Sequence, residues 1–174
     1  MSFRRISLLA MFMASMVAAP AWAQKCKYEV ETDTQLESRL LIIFRGGTVG
    51  LAGYFGVLDG QPYLRGSYAS QFRARAEFTA DTPLELVLAN GDSMTLPVNT
   101  TSEARLRFFG AALNNRQAEP IFSLSQDQLH TLADTHVVGL TMNFVVEGEA
   151  QSTEREVKPN HAERIADAVS CLLR

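Results

Sequence analysis

The sequence has few of the residues on which thiol, metal and nucleotide chemistry depend. Its 174 residues include two cysteines, three histidines and one tryptophan. The cysteines are not spaced as Cys-x-x-Cys, so the common thiol redox motif is absent. No glycine loop of the Rossmann or phosphate-binding type is present, which argues against a nucleotide site. The formal net charge of −3 gives no reason to expect nucleic acid as a partner.

Long apolar segments are also scarce, and the longest lies at the beginning of the chain. Arg4 and Arg5 precede an apolar run over residues 6–19, and small residues at 21 and 23 suit signal peptidase. The run is short for a membrane span of ~20 residues, which favours cleavage over a retained anchor. The residues after the arginines fit a twin-arginine signal poorly, which favours the general secretory route. We therefore predict a signal peptide over residues 1–23 and a periplasmic or secreted protein with no transmembrane segment after cleavage.

The two cysteines lie near the two ends of the predicted mature chain, residues 24–174. Cys26 follows the expected cleavage point closely, and Cys171 precedes the last residues. In an oxidising compartment such a pair predicts one disulfide that joins the ends of a single domain. A catalytic pair is the alternative, but such pairs are usually close in sequence, so we favour a structural disulfide.

The dipeptide Asp59-Gly60 predicts a two-residue β-hairpin. In that hairpin Phe55 lies opposite Leu64 and Leu51 lies opposite Tyr68, so large residues meet large ones, and Gly53 lies opposite Gly66. This agreement between turn type and side-chain size supports the predicted register.

The segment LANGDSMTLPV, residues 88–98, contains Gly91-Asp92-Ser93, which suggests a serine nucleophile. Apolar residues alternate on both sides of the turn. A two-residue loop would set Leu86 opposite Thr95, whereas a three-residue loop over residues 89–91, with Gly91 in the left-handed region, sets Leu86 opposite Met94. A hydrolase nucleophile needs a base and an orienting group, and it usually lies on a strand-to-helix turn. We therefore predict a hairpin here and assign no catalytic residue.

Alternating apolar and polar residues predict strands along most of the remaining chain. The alternation is clearest over residues 71–79, 104–110 and 137–146. Residues 36–45 predict one buried strand, and the polar residues 111–119 predict a loop. We expect a mainly β (α+β) fold, an antiparallel β-sandwich or curved sheet with one short connecting helix and a C-terminal helix.

Capping signals predict the two helices. Ser125 with Gln128 forms a capping box, so a short helix is expected over residues 126–133. Asn160 as N-cap with Glu163 three residues later predicts the start of the last helix. The apolar stripe of that helix is formed by Ala162, Ile165, Val169 and Leu172.

The order of these motifs resembles a group of bacterial proteins. LANGDSMTL is followed by FSLSQDQLHTL, then by VVGLTMNFVVEGE and by a terminal helix that ends in CLL. Over residues 60–173 this layout resembles small secreted bacterial envelope proteins of uncharacterised function. The resemblance implies no catalytic residue for this chain.

Three side chains form a candidate metal site. His130 and Asp134 are four residues apart, the spacing that places two ligands on one helix face, and His136 follows. Such a set suits zinc or copper. The alternative is a solvated helix end, and on this interpretation no cofactor is expected.

Four arginines form a candidate binding surface. Arg73 and Arg75 fall on the polar side of one predicted strand, and Arg105 and Arg107 fall on that of another. If these strands are neighbours, four guanidinium groups line one outer face and suit an anionic glycan or lipid headgroup. The alternative is a solvated face balanced by nearby glutamates.

No Ser-His-Asp set and no marked pair of carboxylates stands out in the sequence. We therefore expect a non-catalytic binding or interaction module whose partner is a protein, a glycan or an anionic envelope component. Two alternatives stay open. One is a hydrolase that acts on envelope material through residues distant in sequence, and the other is a periplasmic metal-binding protein.

Overall fold

The structure is a computed structural model that describes residues 26–46, 49–70, 76–103, 105–109 and 113–174. The predicted signal peptide lies outside these ranges. In the described part, the chain forms two antiparallel β-sheets and two α-helices, which confirms the expected mainly β, α+β class. No helix in these ranges is long and apolar enough to cross a membrane.

The larger sheet contains nine strands among the described residues. Numbered in chain order, they are β1 (Tyr28–Glu31), β2 (Gln35–Ser38), β3 (Leu41–Gly46), β4 (Val49–Leu58), β5 (Gln61–Ser70), β9 (Val98–Thr100), β11 (Arg105–Phe109), β12 (Leu113–Ala118) and β13 (Ile121–Ser123). The main path is β1-β2-β4-β5-β12-β11. In addition, β3 pairs with β4, and β13 lies between β5 and β9.

The smaller sheet contains six described strands, and the helices follow in the second half of the chain. The strands are β6 (Ala76–Phe78), β7 (Leu84–Leu88), β8 (Ser93–Leu96), β10 (Ser102–Glu103), β14 (Val137–Val146) and β15 (Glu149–Glu156). The path is β10-β6-β14-β7-β8, and β15 pairs with β14. The helices are α1 (Gln126–Asp134) and α2 (Pro159–Leu172).

The core lies between the inner faces of the two sheets and is closed by the helices. Three aromatic rings join the sheets. The ring of Tyr68 on β5 lies 5.2 Å from that of Phe78 on β6 and 6.0 Å from that of Phe144 on β14. Tyr68 and Phe78 are almost fully buried. Because aromatic side chains bury large apolar areas, this cluster contributes to the attraction between the sheets.

Both predicted hairpin registers are confirmed. In the β4–β5 hairpin Phe55 lies opposite Leu64, and Asp59 and Gly60 have φ of 48° and 78°. Positive φ at both turn residues defines the type I′ turn that suits the twist of a two-residue hairpin. The β7–β8 hairpin has the expected three-residue loop, and Gly91 at φ 90° is in the left-handed region.

Two strand predictions are wrong. Residues 111–119 were expected to form a loop, but β12 occupies most of them and pairs with β11 and β5. Residues 36–45 were expected to form one strand, but they form β2 and β3 with a break at Arg39 and Leu40. Both segments pair with β4, and at the break the Ser38 hydroxyl accepts a hydrogen bond of 3.0 Å from the Phe55 amide. A side chain thus satisfies the backbone group that the ladder leaves unpaired.

The two helices begin in different ways. The predicted capping box is confirmed, since the Ser125 hydroxyl accepts from the Gln128 amide and the Gln128 side chain accepts from the Ser125 amide. The prediction of Asn160 as N-cap is wrong. The N-cap of α2 is Lys158, which makes no side-chain cap, and Pro159 follows it. Proline suits the first helical position because its φ is already helical and the missing amide has no partner there.

The predicted disulfide between Cys26 and Cys171 is confirmed, with the Cα atoms 5.6 Å apart. The Tyr28 hydroxyl also donates a hydrogen bond of 2.8 Å to the Cys171 carbonyl. The first strand is therefore tied to the end of α2 by a covalent bond and a hydrogen bond. Helix α2 packs against β2, β3, β4 and β14, so these ties hold it over both sheets.

Candidate functional site

A buried carboxylate lies on the outer face of the larger sheet. Leu36 of β2 packs against the core, so the next residue, Glu37, projects from the opposite face. Glu37 is nevertheless only 2% exposed. An ionised carboxylate without a partner is costly to bury by several kcal/mol, so its surroundings must compensate the charge.

The burial of Glu37 depends on a glycine in the next strand. The ladders place Glu37 opposite Gly56 of β4, Gly56 opposite Tyr63 of β5, and Tyr63 opposite Ser123 of β13. A Cβ added at Gly56 would lie 2.5 Å from Cζ of Tyr63, so the ring occupies the space that a side chain would fill. Tyr63 therefore extends across β4 and covers Glu37.

Tyr63 connects two polar residues of β2. Its hydroxyl donates a hydrogen bond of 2.7 Å to Oε2 of Glu37. The same hydroxyl accepts a hydrogen bond of 3.0 Å from the side-chain amide of Gln35. The phenol thus satisfies one carboxylate oxygen and is itself fixed in orientation by its second hydrogen bond.

Arg65 compensates the charge of Glu37. Its Nε donates to Oε2 at 3.2 Å, and its Nη2 donates to Oε1 at 2.5 Å, a bidentate ion pair. Its guanidinium carbon lies 4.1 Å from the centre of the Tyr54 ring on β4. The side chain is 34% exposed, so the guanidinium closes the site on one side and meets solvent on the other. Stacking and bidentate pairing together fix the position of the arginine.

The surroundings hold both partners of Glu37 in their donor forms. Burial raises the pKa of Tyr63 above its ordinary value, although the hydrogen bond from Gln35 opposes part of that increase. The hydrogen bond to Glu37 raises the pKa of Arg65. Tyr63 is therefore neutral and Arg65 is cationic over the physiological pH range, and the charges of Arg65 and Glu37 cancel.

A cleft of about 560 Å³ lies beside this cluster, and we call it the Glu37 cleft. Its volume falls within the range of about 300–1,000 Å³ that is typical of small-molecule sites. Strands β2, β4, β5, β9 and β13 all contribute to it, together with the residues around them. Besides Gln35, Glu37, Tyr63 and Arg65, it is lined by Leu58, Asp59, Gln61, Pro62, Asn99, Ile121, Ser123 and Leu124.

The cleft contains groups for hydrogen bonding but no marked nucleophile. Its described lining includes no histidine or cysteine that would activate Ser123. Arg65 uses Nε and Nη2 for Glu37, and no hydrogen bond from its Nη1 occurs within the described ranges. Chemically, the arrangement is suited to recognition of a polar ligand by fixed donors and acceptors.

The four-arginine surface stays a prediction. Arg73 and Arg75 lie outside the described residues. Arg105 and Arg107 lie on β11 in the larger sheet, and only their backbone is described. Strand β6, which begins directly after residues 71–75, belongs to the smaller sheet.

The histidine and serine candidates lie on exposed surface. His130 in the middle of α1, Asp134 at its last residue and His136 just beyond it are all exposed. In the part of the chain that the structure describes, no three His, Cys, Asp or Glu side chains are grouped closely enough to hold a metal ion. Ser93 is exposed at the start of β8, opposite Val87 in the hairpin.

Glu37, Tyr63 and Arg65 belong to no motif that marks them as a site in the sequence. One signal was available, because the predicted Asp59-Gly60 hairpin already sets Gly56 opposite Tyr63. A glycine opposite a large aromatic residue leaves room for the ring to cross the strand. The pairing of β2 with β4 was not available from the sequence, and that pairing brings Glu37 beneath the ring.

Comparisons with known proteins give no relative for this chain. No family model matches it, and no curated protein or solved structure matches it. The resemblance to small secreted envelope proteins therefore stays a prediction, and the function is inferred from the geometry alone.

Proposed function

We propose that this protein is a periplasmic or secreted binding module that catalyses no reaction, and that the Glu37 cleft holds its ligand. The observation that carries the proposal is the fixed set of polar groups at the wall of the cleft. Glu37 is 2% exposed, and Tyr63 and Arg65 reach it from β5 across β4.

Stability alone explains this arrangement poorly. A buried ion pair is often no more stabilising than apolar residues of the same size, because desolvation offsets the attraction. A binding site gains from it, since donors that are already held in place need little ordering when a ligand arrives. The cleft next to the ion pair provides the space in which a ligand can contact these ordered groups.

The proposed location has separate support. The Cys26–Cys171 disulfide is typical of proteins in oxidising compartments. The predicted signal peptide over residues 1–23 is the route by which the chain would reach such a compartment.

Native mass spectrometry of untagged protein from the periplasm and from the medium tests the proposal. We expect the mass of a chain that begins at Gln24 and has two hydrogens fewer than its reduced form. We also expect an additional peak from a non-covalently bound ligand, the adduct. The adduct should be lost in Tyr63→Ala and kept in the control Tyr28→Phe, which changes a tyrosine away from the cleft. An adduct unchanged in Tyr63→Ala would contradict the cleft assignment. Turnover of a substrate that one point substitution abolishes would contradict the non-catalytic function.

A further inference from the structure

The charges around the Glu37 cleft give no attraction for an anionic ligand. The carboxylate of Glu37 and the guanidinium of Arg65 neutralise each other through two hydrogen bonds. Asp59, at the rim, is exposed and adds a negative charge. No lysine lines the described cleft. A neutral ligand meets no unfavourable charge here, whereas a carboxylate or phosphate would approach Asp59 without a free cation to offset it.

The polar groups that are free in the cleft both donate and accept hydrogen bonds. The side-chain amides of Gln61 and Asn99 and the hydroxyl of Ser123 make no side-chain hydrogen bond within the described ranges. Amide and hydroxyl side chains can each act as donor and as acceptor. Nη1 of Arg65 adds a donor of fixed direction. A ligand with several hydroxyl groups matches this set, because each hydroxyl also donates and accepts.

Apolar side chains lie between these polar groups. Leu58 is 45% exposed, and the half-buried Ile121 and the Tyr63 ring lie nearby in the lining. A sugar ring has hydroxyl groups at its edge and C–H groups on its faces, so it can use both kinds of surface. A lipid chain would cover the amides and leave them unpaired, at a cost of about 1–3 kcal/mol for each buried group.

We infer that the Glu37 cleft binds a neutral saccharide, with Gln61, Asn99 and Ser123 bonding its hydroxyl groups and Arg65 giving one directed donor. This inference depends on the proposed binding function and adds the class of ligand. Glu37 acts through Tyr63 and Arg65, so it is a positioning residue and does not touch the sugar.

Titration of ¹⁵N-labelled oxidised protein, followed by backbone amide shifts, tests the inference. The probes are chitotriose, cellotriose and maltotriose as neutral saccharides, trigalacturonate as an anionic saccharide, and tetra-alanine as a peptide. We expect saturable shifts in β5, β9 and β13 with at least one neutral trisaccharide, and weaker binding of trigalacturonate. The double variant Gln61→Ala/Asn99→Ala should weaken the affinity at least tenfold. The control Gln151→Ala, an exposed amide on β15 of the other sheet, should leave it unchanged.

The remaining outcomes separate the ligand class from the binding function. Tighter binding of trigalacturonate, or shifts in the cleft with tetra-alanine alone, would overturn the neutral saccharide and leave a binding site in place. No shift with any of the five probes would overturn the inference. Combined with a bare native mass spectrum, that result would overturn the proposed function as well.

Discussion

Removal of the guanidinium group in Arg65→Met should destabilise the fold by about 2–3 kcal/mol. The variant loses both hydrogen bonds from Arg65 to Glu37, a residue that is 2% exposed in the wild type and keeps Tyr63 as its other hydrogen-bond partner. Breaking a fully buried ion pair by removing one partner costs about 3–5 kcal/mol. The Arg65 side chain is 34% exposed, so water can replace part of it and the cost falls below that range.

Urea denaturation measures this loss. With a slope of about 1–3 kcal/mol per molar urea, the midpoint should fall by roughly 0.7–3 M at an unchanged slope. The matched control is Arg164→Met, which removes an exposed arginine from α2 and should change stability by less than about 0.5 kcal/mol.

A second variant identifies the cause. In Glu37→Leu/Arg65→Met no charge remains buried, so this protein should be more stable than Arg65→Met alone. A double variant less stable than Arg65→Met would contradict the unpaired buried carboxylate as the cause of the loss. Equal stability of Arg65→Met and Arg164→Met would mean that the ion pair contributes nothing to the site.

Three further perturbations test the arrangement. Gly56→Ala should displace the Tyr63 ring, whose Cζ lies 2.5 Å from the new Cβ, and lower the free energy of unfolding by about 1–3 kcal/mol. Gly50→Ala is its control, since the added Cβ meets only a carbonyl oxygen at 3.7 Å, and equal losses would contradict the steric argument. Tyr63→Phe should reduce the loss of stability above about pH 10, because the pKa of Tyr63 is raised in the folded state. The contribution of this raised pKa to the free energy of unfolding is complete below the unfolded-state pKa near 10, and it is lost as the pH rises through the folded-state pKa. Denaturation at pH 8 to 11 checks this, and parallel curves for the two proteins would contradict it. Cys26→Ser/Cys171→Ser should lower the free energy of unfolding by about 4–5 kcal/mol in the chain-entropy model, and reduction of the wild type should match it in urea.

Local chemistry explains what the sequence could predict. Asp59-Gly60 and Gly91 are tied to particular turn geometries, so the register of both hairpins follows from a few neighbouring residues. The capping box at Ser125 is equally local. Alternation within single strands then gave the mainly β class without knowledge of which strands are partners.

Pairing between distant segments explains what the sequence could not predict. The strand β12 is polar and carries no apolar alternation, and it exists because β11 and β5 lie on its two sides. The candidate site also depends on pairing between segments that are distant in sequence. Glu37 and Arg65 are 28 residues apart, and their contact requires β2 and β5 to flank the same stretch of β4. Burial of Glu37 is therefore a property of the sheet and not of any short motif.

The disulfide also decides how the protein responds to mechanical load. Cys26 and Cys171 close the chain between them into a covalent ring. Tension applied to the chain outside these two cysteines therefore passes through the sulfur–sulfur bond. The sheets and helices between the two cysteines are bypassed by this short covalent path. Reduction would free the segment between the two cysteines, which are 145 residues apart in sequence. Fully extended, that segment spans roughly 500 Å at about 3.5 Å per residue. In the oxidised protein that length is not available to a force applied outside the two cysteines, so the segments that form the Glu37 cleft lie off the path of that force.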